Sequence, residues 1–277
     1  MNISIVTWQR WNGRKPGSVG SSVIRGDWLV NADPEFSFWK HGAQYDALIV
    51  QKVYNKDLLT DYSGPRILDI CDPDWLGGGV DIAKFMNMAS AITTSSESLR
   101  DVLKGYTHKP VVHIPDRINY SFLPKPKAQN DERGKTVVWY GYAQNFDTLG
   151  IVLDTLAEMK LNLLVVSNQP FEPMNNRGVA IKNVTWEPAT AHQEIQRGDI
   201  VLNYQPPFGK FAYKSSNKTD IALALGLPVA KTAEDLERLL DPNERRKDVE
   251  AWNATRRAEM DIVNSAKQYK DLIVSLQ

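Results

Sequence analysis

The 277-residue sequence predicts an α/β protein of two Rossmann-like domains facing a cleft, with a C-terminal helix packing back. Three observations predict it. Short apolar runs rich in Val and Ile alternate with longer helical patterns, which is the grammar of a parallel sheet covered by helices. That alternation occurs twice, interrupted by the polar stretch "DRINYSFLPKPKAQNDERGK" (116–135), with two close prolines and no apolar period. Beyond the second series, apolar residues fall mostly three or four apart.

In the first half the expected strands are "ISIVTW" (3–8), "YDALIVQ" (45–51), "PRILDI" (65–70), "SAITTS" (90–95) and "KPVVHIP" (109–115). "DPEFSFWKHG" and "ESLRDVLKGY" read as helical. In the second half the strands are "KTVVWYG" (135–141), "LNLLVVS" (161–167), "IKNVTWE" (181–187), "DIVLNYQ" (199–205) and "LPVAK" (227–231), with helices near 146–160, 189–197, 216–225 and 232–240. In the tail, Val249, Trp252, Met260, Val263, Ala266 and Ile273 mark a helix, in one or two pieces. The division expected is 1–118 as first domain, 119–134 as linker, 135–242 as second domain and 243–277 as helical segment.

The formal net charge is zero, so a polyanion would have to be met by a local patch and not by a general field. Cys71 is the only cysteine, which excludes an intramolecular disulfide framework and a multi-cysteine metal site. No apolar run approaches the roughly 18 residues of a membrane span. Met1 leads into "NISIV" without a charged leader, so the expected location is cytoplasmic, with peripheral membrane contact left open.

The most informative stretch is "KSSNKTDIALALGLPVA" (214–230). Ser215, Ser216 or Asn217 can cap a helix over 218–225, which Gly226 ends before Pro228 begins the next strand. A helix start exposes backbone N–H groups at the positive end of the dipole and favours a phosphate. Lysine there is electrostatically misplaced unless an anion is present. Lys214 and Lys218 bracket that point and suit a diphosphate; the alternative is two solvated surface lysines.

This stretch resembles the nucleotide-sugar segment of retaining GT-B glycosyltransferases of the GT4-like group, in which a basic residue, small polar residues and a helix ending "A-x-G-x-P-V" hold the donor. "AITTSSESLRDVL" and "KPVVHIPDRIN" are similar to the end of that family's first domain. "VVWYGYAQNFDTLGIVLDTLAEM" resembles the strand, glycine turn and helix that open its nucleotide domain, with Gly141 in the turn. "NVTWEPATAHQEIQRGDIVLNYQP" looks like the base-binding strand with the helix and strand that lead to the donor helix. The pieces cover roughly residues 90 to 230 in the family's order. One departure matters: the position of the family's ribose-binding glutamate is Ile221, and the nearest acid, Asp220, lies about 100° round the helix. Asp220 either substitutes through a local shift or is an ordinary acid in a first helical turn.

In the first half, "RWNGRKPGSVGSSVIRGDW" (10–28) comes after the first strand. Its glycines allow close backbone approach, Ser21 and Ser22 can cap the next helix, and Arg25 suits bidentate phosphate binding. The resemblance places Gly20, Ser21 and Arg25 against the donor phosphates. Plain turn glycines are the alternative for Gly17 and Gly20. "ILDICDPDWLGGG" (67–79) puts Asp69, Asp72 and Asp74 at the end of a strand. Three roles compete for Asp72 and Asp74: a base or orienting group for an acceptor hydroxyl, a D-x-D metal site, or a turn. Metal is disfavoured because the expected diphosphate site is already cationic. His41, His108, His113 and His192 show no ligand spacing. Some of Trp8, Trp11, Trp28, Trp39 and Trp75 belong to the core, while others suit stacking on a sugar or base. "ERRK" (244–247) reads as a solvated helix start.

The resemblance implies glycosyl transfer from a nucleoside diphosphate sugar, with a UDP-sugar as first expectation, to an acceptor hydroxyl, retaining and without metal or other cofactor. Lys214, Ser216, Asn217 and Lys218 would hold the diphosphate, Trp186 and Glu187 would meet the base, and Asp72 or Asp74 the acceptor. The acceptor is a glycan or small molecule. The chain is short for this family and so resembles compact phage transferases; a modified DNA base, met by Arg10, Arg14, Lys15 and Arg25, is the minority alternative. A nucleotide-sugar epimerase and a non-catalytic binding module also stay open.

Overall fold

Residues 1–77 and 79–277 are described by a computed structural model; Gly78, in the glycine run after Trp75, lies outside them. The first sheet contains β1 (Ile3–Thr7), β2 (Phe36–Phe38), β3 (Ala47–Gln51), β4 (Arg66–Ile70), β5 (Ala91–Thr94) and β6 (Val111–His113). Its order is β2-β1-β3-β4-β5-β6, and every pairing is parallel. All residues of β1 and β3 are buried, as in parallel strands covered on both faces. Because β1 has β2 on one side and β3 on the other, the connections leave β1 and β3 in opposite directions and open a crevice beyond their carboxyl ends.

Gly20 to Ala32 is helical throughout, passing through a π turn at Val23–Asp27 into α1 (Trp28–Ala32). Gly26 is required there, because a β-carbon would collide with the methyl of Thr7. Next come α2 (Lys56–Thr60), α3 (Ile82–Met88) and α4 (Glu97–Leu103), capped by the side chains of Asn55, Asp81 and Ser96. The segment expected to be helical after Asp33 instead contains β2, in register with β1 through Ile3–Phe36 to Ile5–Phe38. Pairing with a buried neighbour overrode the local pattern, and two phenylalanines suit a strand.

The second sheet contains β7 (Thr136–Gly141), β8 (Asn162–Ser167), β9 (Ile181–Thr185), β10 (Ile200–Leu202) and β11 (Val229–Ala230). Its order is β11-β10-β7-β8-β9, again all parallel, so the switch point lies between β7 and β10. Helices α5 (Leu153–Glu158), α6 (Ala191–Ile195), α7 (Asn217–Ala224) and α8 (Ala233–Leu239) come after these strands. Val137, Trp139, Leu156, Val165, Leu202 and Leu236 belong to one core. Gly226 ends α7 with φ +84°, as expected for a left-handed stop.

The chain forms two compact units. One comprises Met1–Tyr120, Pro207–Asn217 and Met260–Gln277, the other Ser121–Pro206 and Lys218–Glu259. The tail is two helices, α9 (Pro242–Thr255) and α10 (Ile262–Ser275), capped by Asp241 and Asp261. In α10 the buried residues are Ile262, Ser265, Ala266, Tyr269, Leu272 and Ile273, one stripe at helical spacing, whereas Val263 is exposed. Within 119–134, Lys127 donates its amine to the Gly198 carbonyl and its backbone N–H to Leu225, both in the second unit.

Arg245 corrects the reading of "ERRK" as solvated. It is fully buried and donates to the carbonyls of Leu239, Leu240 and Glu132 and to the side chains of Gln129 and Asn130. It thereby satisfies two carbonyls at the end of α8 that have no partner within that helix. Among the described residues no helix is long and apolar enough to cross a membrane.

Candidate functional site

Beyond the carboxyl ends of β3 and β4, five polar side chains of the first unit meet. The amine of Lys52 lies 2.7 Å from Asp72 Oδ2 and 3.2 Å from Asp74 Oδ1. The amine of Lys214 lies 2.5 Å from Asp72 Oδ1, and the Tyr54 hydroxyl donates to Asp74 Oδ2 at 2.7 Å. Lys52 has φ +54°, a left-handed conformation that a lysine adopts only at a cost. Burial alone would push the Asp72 carboxyl up, but Lys52 and Lys214 outweigh it and hold the group below the usual aspartate range. Asp72 is therefore an ion-pair partner and a poor base. Of the three roles weighed from the sequence, the D-x-D alternative meets two carboxylates that share the Lys52 ammonium.

Arg25 is not available to a phosphate, which corrects its expected role. Its side chain is 2% exposed, and its five N–H groups are directed at Asp69 Oδ2 and Oδ1, Asp116 Oδ1, the Ile114 carbonyl and the Tyr269 hydroxyl. Asp69 is buried with it and also accepts from Thr93 and Tyr269. Ser21 and Ser22 are not caps either. They lie inside the helical stretch, where the Ser22 hydroxyl donates to Gln51 Oε1 at 3.0 Å and Ser21 accepts from Gln51 Nε2 at 3.5 Å. Gly20 is exposed with open space around its Cβ direction.

The stretch before α7 is held by the first unit at nearly every residue. Ser96 donates to the Tyr213 carbonyl at 2.8 Å, and Trp75 meets the Tyr213 ring edge-on. Lys214 takes Asp72, while the Ser215 hydroxyl donates to Asp116 Oδ2 at 2.6 Å and Asn217 Nδ2 reaches the same oxygen at 3.2 Å. Ser216, between them, is exposed.

In the second unit, residues gather at the carboxyl end of β7, beside the switch point. Gly141 has φ +151°, and a β-carbon on it would lie 2.6 Å from the amine of Lys218. That amine stands 4.8 Å above the Trp139 ring and 5.7 Å from Tyr140, so two aromatic faces support the cation. The Tyr140 hydroxyl donates to the Lys218 carbonyl at 2.7 Å, and Asn203 Nδ2 donates to Thr219 Oγ1 at 3.1 Å. Trp186, half-buried, is stacked on Tyr140 and meets His192 edge-on; Glu187 is exposed. Burial holds His113 and His192 below the usual histidine range. An open concavity of about 510 Å³, lined by Gln144, Phe146, Asn168, Phe171 and Glu172 among others, lies beyond β7 and β8.

Asp220 does not stand in for the expected ribose-binding acid. It is buried, accepts from Trp252 Nε1 at 2.9 Å and faces Arg256 Nε at 3.4 Å. Its carboxylate is thus bound to α9, and Ile221 beside it is buried as an apolar residue. The sequence reading missed Lys52, Tyr54, Asp116, Asn203, Trp139 and Tyr140. Trp139 and Tyr140 had a signal, in that they immediately precede Gly141 at a strand end.

No family model and no curated protein matches the chain by sequence. Solved structures do match. HepE from Anabaena, solved with UDP-glucose, is 12% identical with TM-score 0.63, over 99% of this chain and 99% of that one. The lipopolysaccharide outer core galactosyltransferase WaaB is 10% identical with TM-score 0.62, over 100% of each. TarM from S. aureus is 10% identical with TM-score 0.60, over 82% of this chain; the present chain spans just over half of TarM, 55%. At these identities the likeness shows the fold, which is GT-B.

Proposed function

We propose that the protein transfers a sugar from a nucleoside diphosphate donor to an acceptor hydroxyl. The observation that carries this reading is the Gly141–Lys218 pair, a bare backbone and a supported ammonium together at the carboxyl end of β7 in a GT-B fold. Such a switch point is where α/β sheets take ligands. HepE, of the same fold, was solved with UDP-glucose, which makes a UDP-sugar the first donor to try.

In this reading the bond between the sugar C1 and the β-phosphate oxygen breaks while C1 bonds the acceptor oxygen, whose proton passes to the departing diphosphate. Lys218 neutralises the charge growing on the departing diphosphate, the interaction expected to contribute most to rate. The stretch from Lys214 to Lys218 supplies the remaining donors, Ser216 and Asn217 among them, and Trp186 offers a face to the base. With lysines supplying the positive charge, the proposed reaction needs no divalent ion. Asp74, held by Tyr54, is assigned to orienting the acceptor, because both oxygens of Asp72 are taken by Lys52 and Lys214. Retention of configuration rests on the family resemblance. The proposed acceptor is a glycan or small molecule, and the protein is proposed to work in the cytoplasm.

A second reading has its own observation. With Asp220 turned to Trp252 and Ile221 apolar, the helix offers no acid to a ribose, which favours a module that binds a nucleotide sugar without turning it over.

Melting temperatures across UDP, GDP, ADP, CDP and dTDP, each with and without magnesium, test the proposal, since a ligand that binds only the native state raises the midpoint. A magnesium-independent rise with one nucleotide is expected. No rise with any of the five refutes the donor site, and binding without transfer to any glycan or small-molecule acceptor selects the module.

A further inference from the structure

We infer that Asp116 is a positioning residue, which fixes residues 214–217 through the hydroxyl of Ser215 and the amide of Asn217. The inference rests on the reading of that stretch as the diphosphate-binding one. In the buried hydrogen-bonded set around Arg25, one guanidinium faces two carboxylates, Asp69 and Asp116, with side-chain exposures of 2%, 0% and 4%. Asp69 already neutralises Arg25, with two bonds of 2.5 and 2.6 Å. The set therefore buries one negative charge more than the guanidinium requires, and an uncompensated buried charge is costly.

Geometry shows what that second charge meets. Asp116 Oδ1 faces Arg25, and Oδ2 faces outward and accepts from Ser215 Oγ at 2.6 Å and from Asn217 Nδ2 at 3.2 Å. An amide at position 116 could still present an oxygen to Arg25. Only the carboxylate also presents a charged acceptor to both donors, and charge-assisted hydrogen bonds are roughly twice as strong as neutral ones. The anchor behind Asp116 is stiff. Arg25 sits on the π turn, is held by Asp69 from β4 and Tyr269 from α10, and spends a further donor on the Ile114 carbonyl. Asp116 thus transfers the rigidity of three elements to a stretch of irregular backbone, which presents Lys214 and exposed Ser216 in one arrangement. Pre-organised donors of this kind need little reorganisation when an anion arrives.

The test compares wild type with Asp116→Asn, Ser215→Ala and the double variant, using amide hydrogen exchange and calorimetric titration with UDP, GDP, ADP, CDP and dTDP. Exchange at residues 213–219 should rise about tenfold in each single variant, with the rest of the first unit unchanged. Affinity for the preferred nucleotide should fall by a similar factor. The double variant should be no worse than Asp116→Asn alone, because the contact that Ser215→Ala removes is one of those that Asp116→Asn already disrupts. Unchanged exchange at 213–219 overturns the inference. So does exchange that rises throughout the first unit, which marks Asp116 as merely structural. If wild type binds none of the five nucleotides while the local exchange still rises, the positioning stands and the donor reading falls. Ser215→Ala, at a part-exposed site outside the buried set, keeps the test valid if Asp116→Asn fails to fold.

Discussion

The amine of Lys218 lies 2.6 Å from the point that a β-carbon on Gly141 would occupy. The atom so close to the strand end is the tip of a flexible side chain, which an added methyl group would displace. Gly141→Ala must therefore move the amine and also hold an alanine at φ +151°, a region that costs about 1–3 kcal/mol for a residue with a side chain. Transfer should fall at least tenfold, and the melting temperature should drop by a few degrees. Steady-state kinetics beside a melting curve checks both; wild-type turnover would show that this approach serves packing alone.

Lys218→Ala leaves the glycine and the aromatic support in place. It should lower transfer at least tenfold, about 1.4 kcal/mol or more of lost transition-state stabilisation, and leave the fold intact. Because the ammonium acts on charge that develops as the donor bond breaks, the loss should appear more in kcat than in KM. A folded variant with near wild-type turnover would remove Lys218 from the reaction.

Asp72 carries a pH dependence. Its folded-state pKa is lowered by Lys52 and Lys214 against the opposing effect of burial. A group with a depressed pKa stabilises the fold above its unfolded value, near 3.9, and that contribution is lost as pH falls through the folded value. Wild type should accordingly exceed Asp72→Asn in stability at pH 7, and the gap should close below about pH 4. Urea unfolding of both proteins at pH 7 and pH 3 measures it, and a gap that widens in acid would refute the pairing.

The strands were legible because β1, β3, β4 and β8 are rich in Ile, Leu and Val and mostly buried, a local property of the sequence. β2 was not, since Phe36–Phe38 is a strand by virtue of its pairing with β1. At the site, Gly141, Lys214 and Lys218 could be picked out because glycine at a strand end and lysine at a helix start are locally anomalous. Arg25 and Arg245 were misread for the opposite reason. An arginine in a polar stretch looks the same whether solvated or buried, and the partners that bury these two lie 44 and 91 residues away for Arg25 and 113 to 116 residues away for much of Arg245. Lys52 was passed over because nothing in its residue type marks its left-handed backbone, and the Asp72 carboxylate it meets lies 20 residues away.

Asp220 and Trp252 give the last prediction, which separates a structural acid from a ligand-binding one. The carboxylate is 2% exposed and accepts the indole N–H from α9. Trp252→Phe keeps most of the ring volume and removes that donor, so a buried carboxylate loses a hydrogen bond at a cost of about 1–3 kcal/mol. The second unit should lose that much stability, read from the urea midpoint. Nucleotide affinity should stay within about twofold, because the lost contact faces α9 and the change in free energy at the ligand is below about 0.5 kcal/mol in magnitude. If instead affinity falls tenfold while stability is unchanged, the acid meets the ribose after all, and the helix that carries Ile221 binds its donor through Asp220.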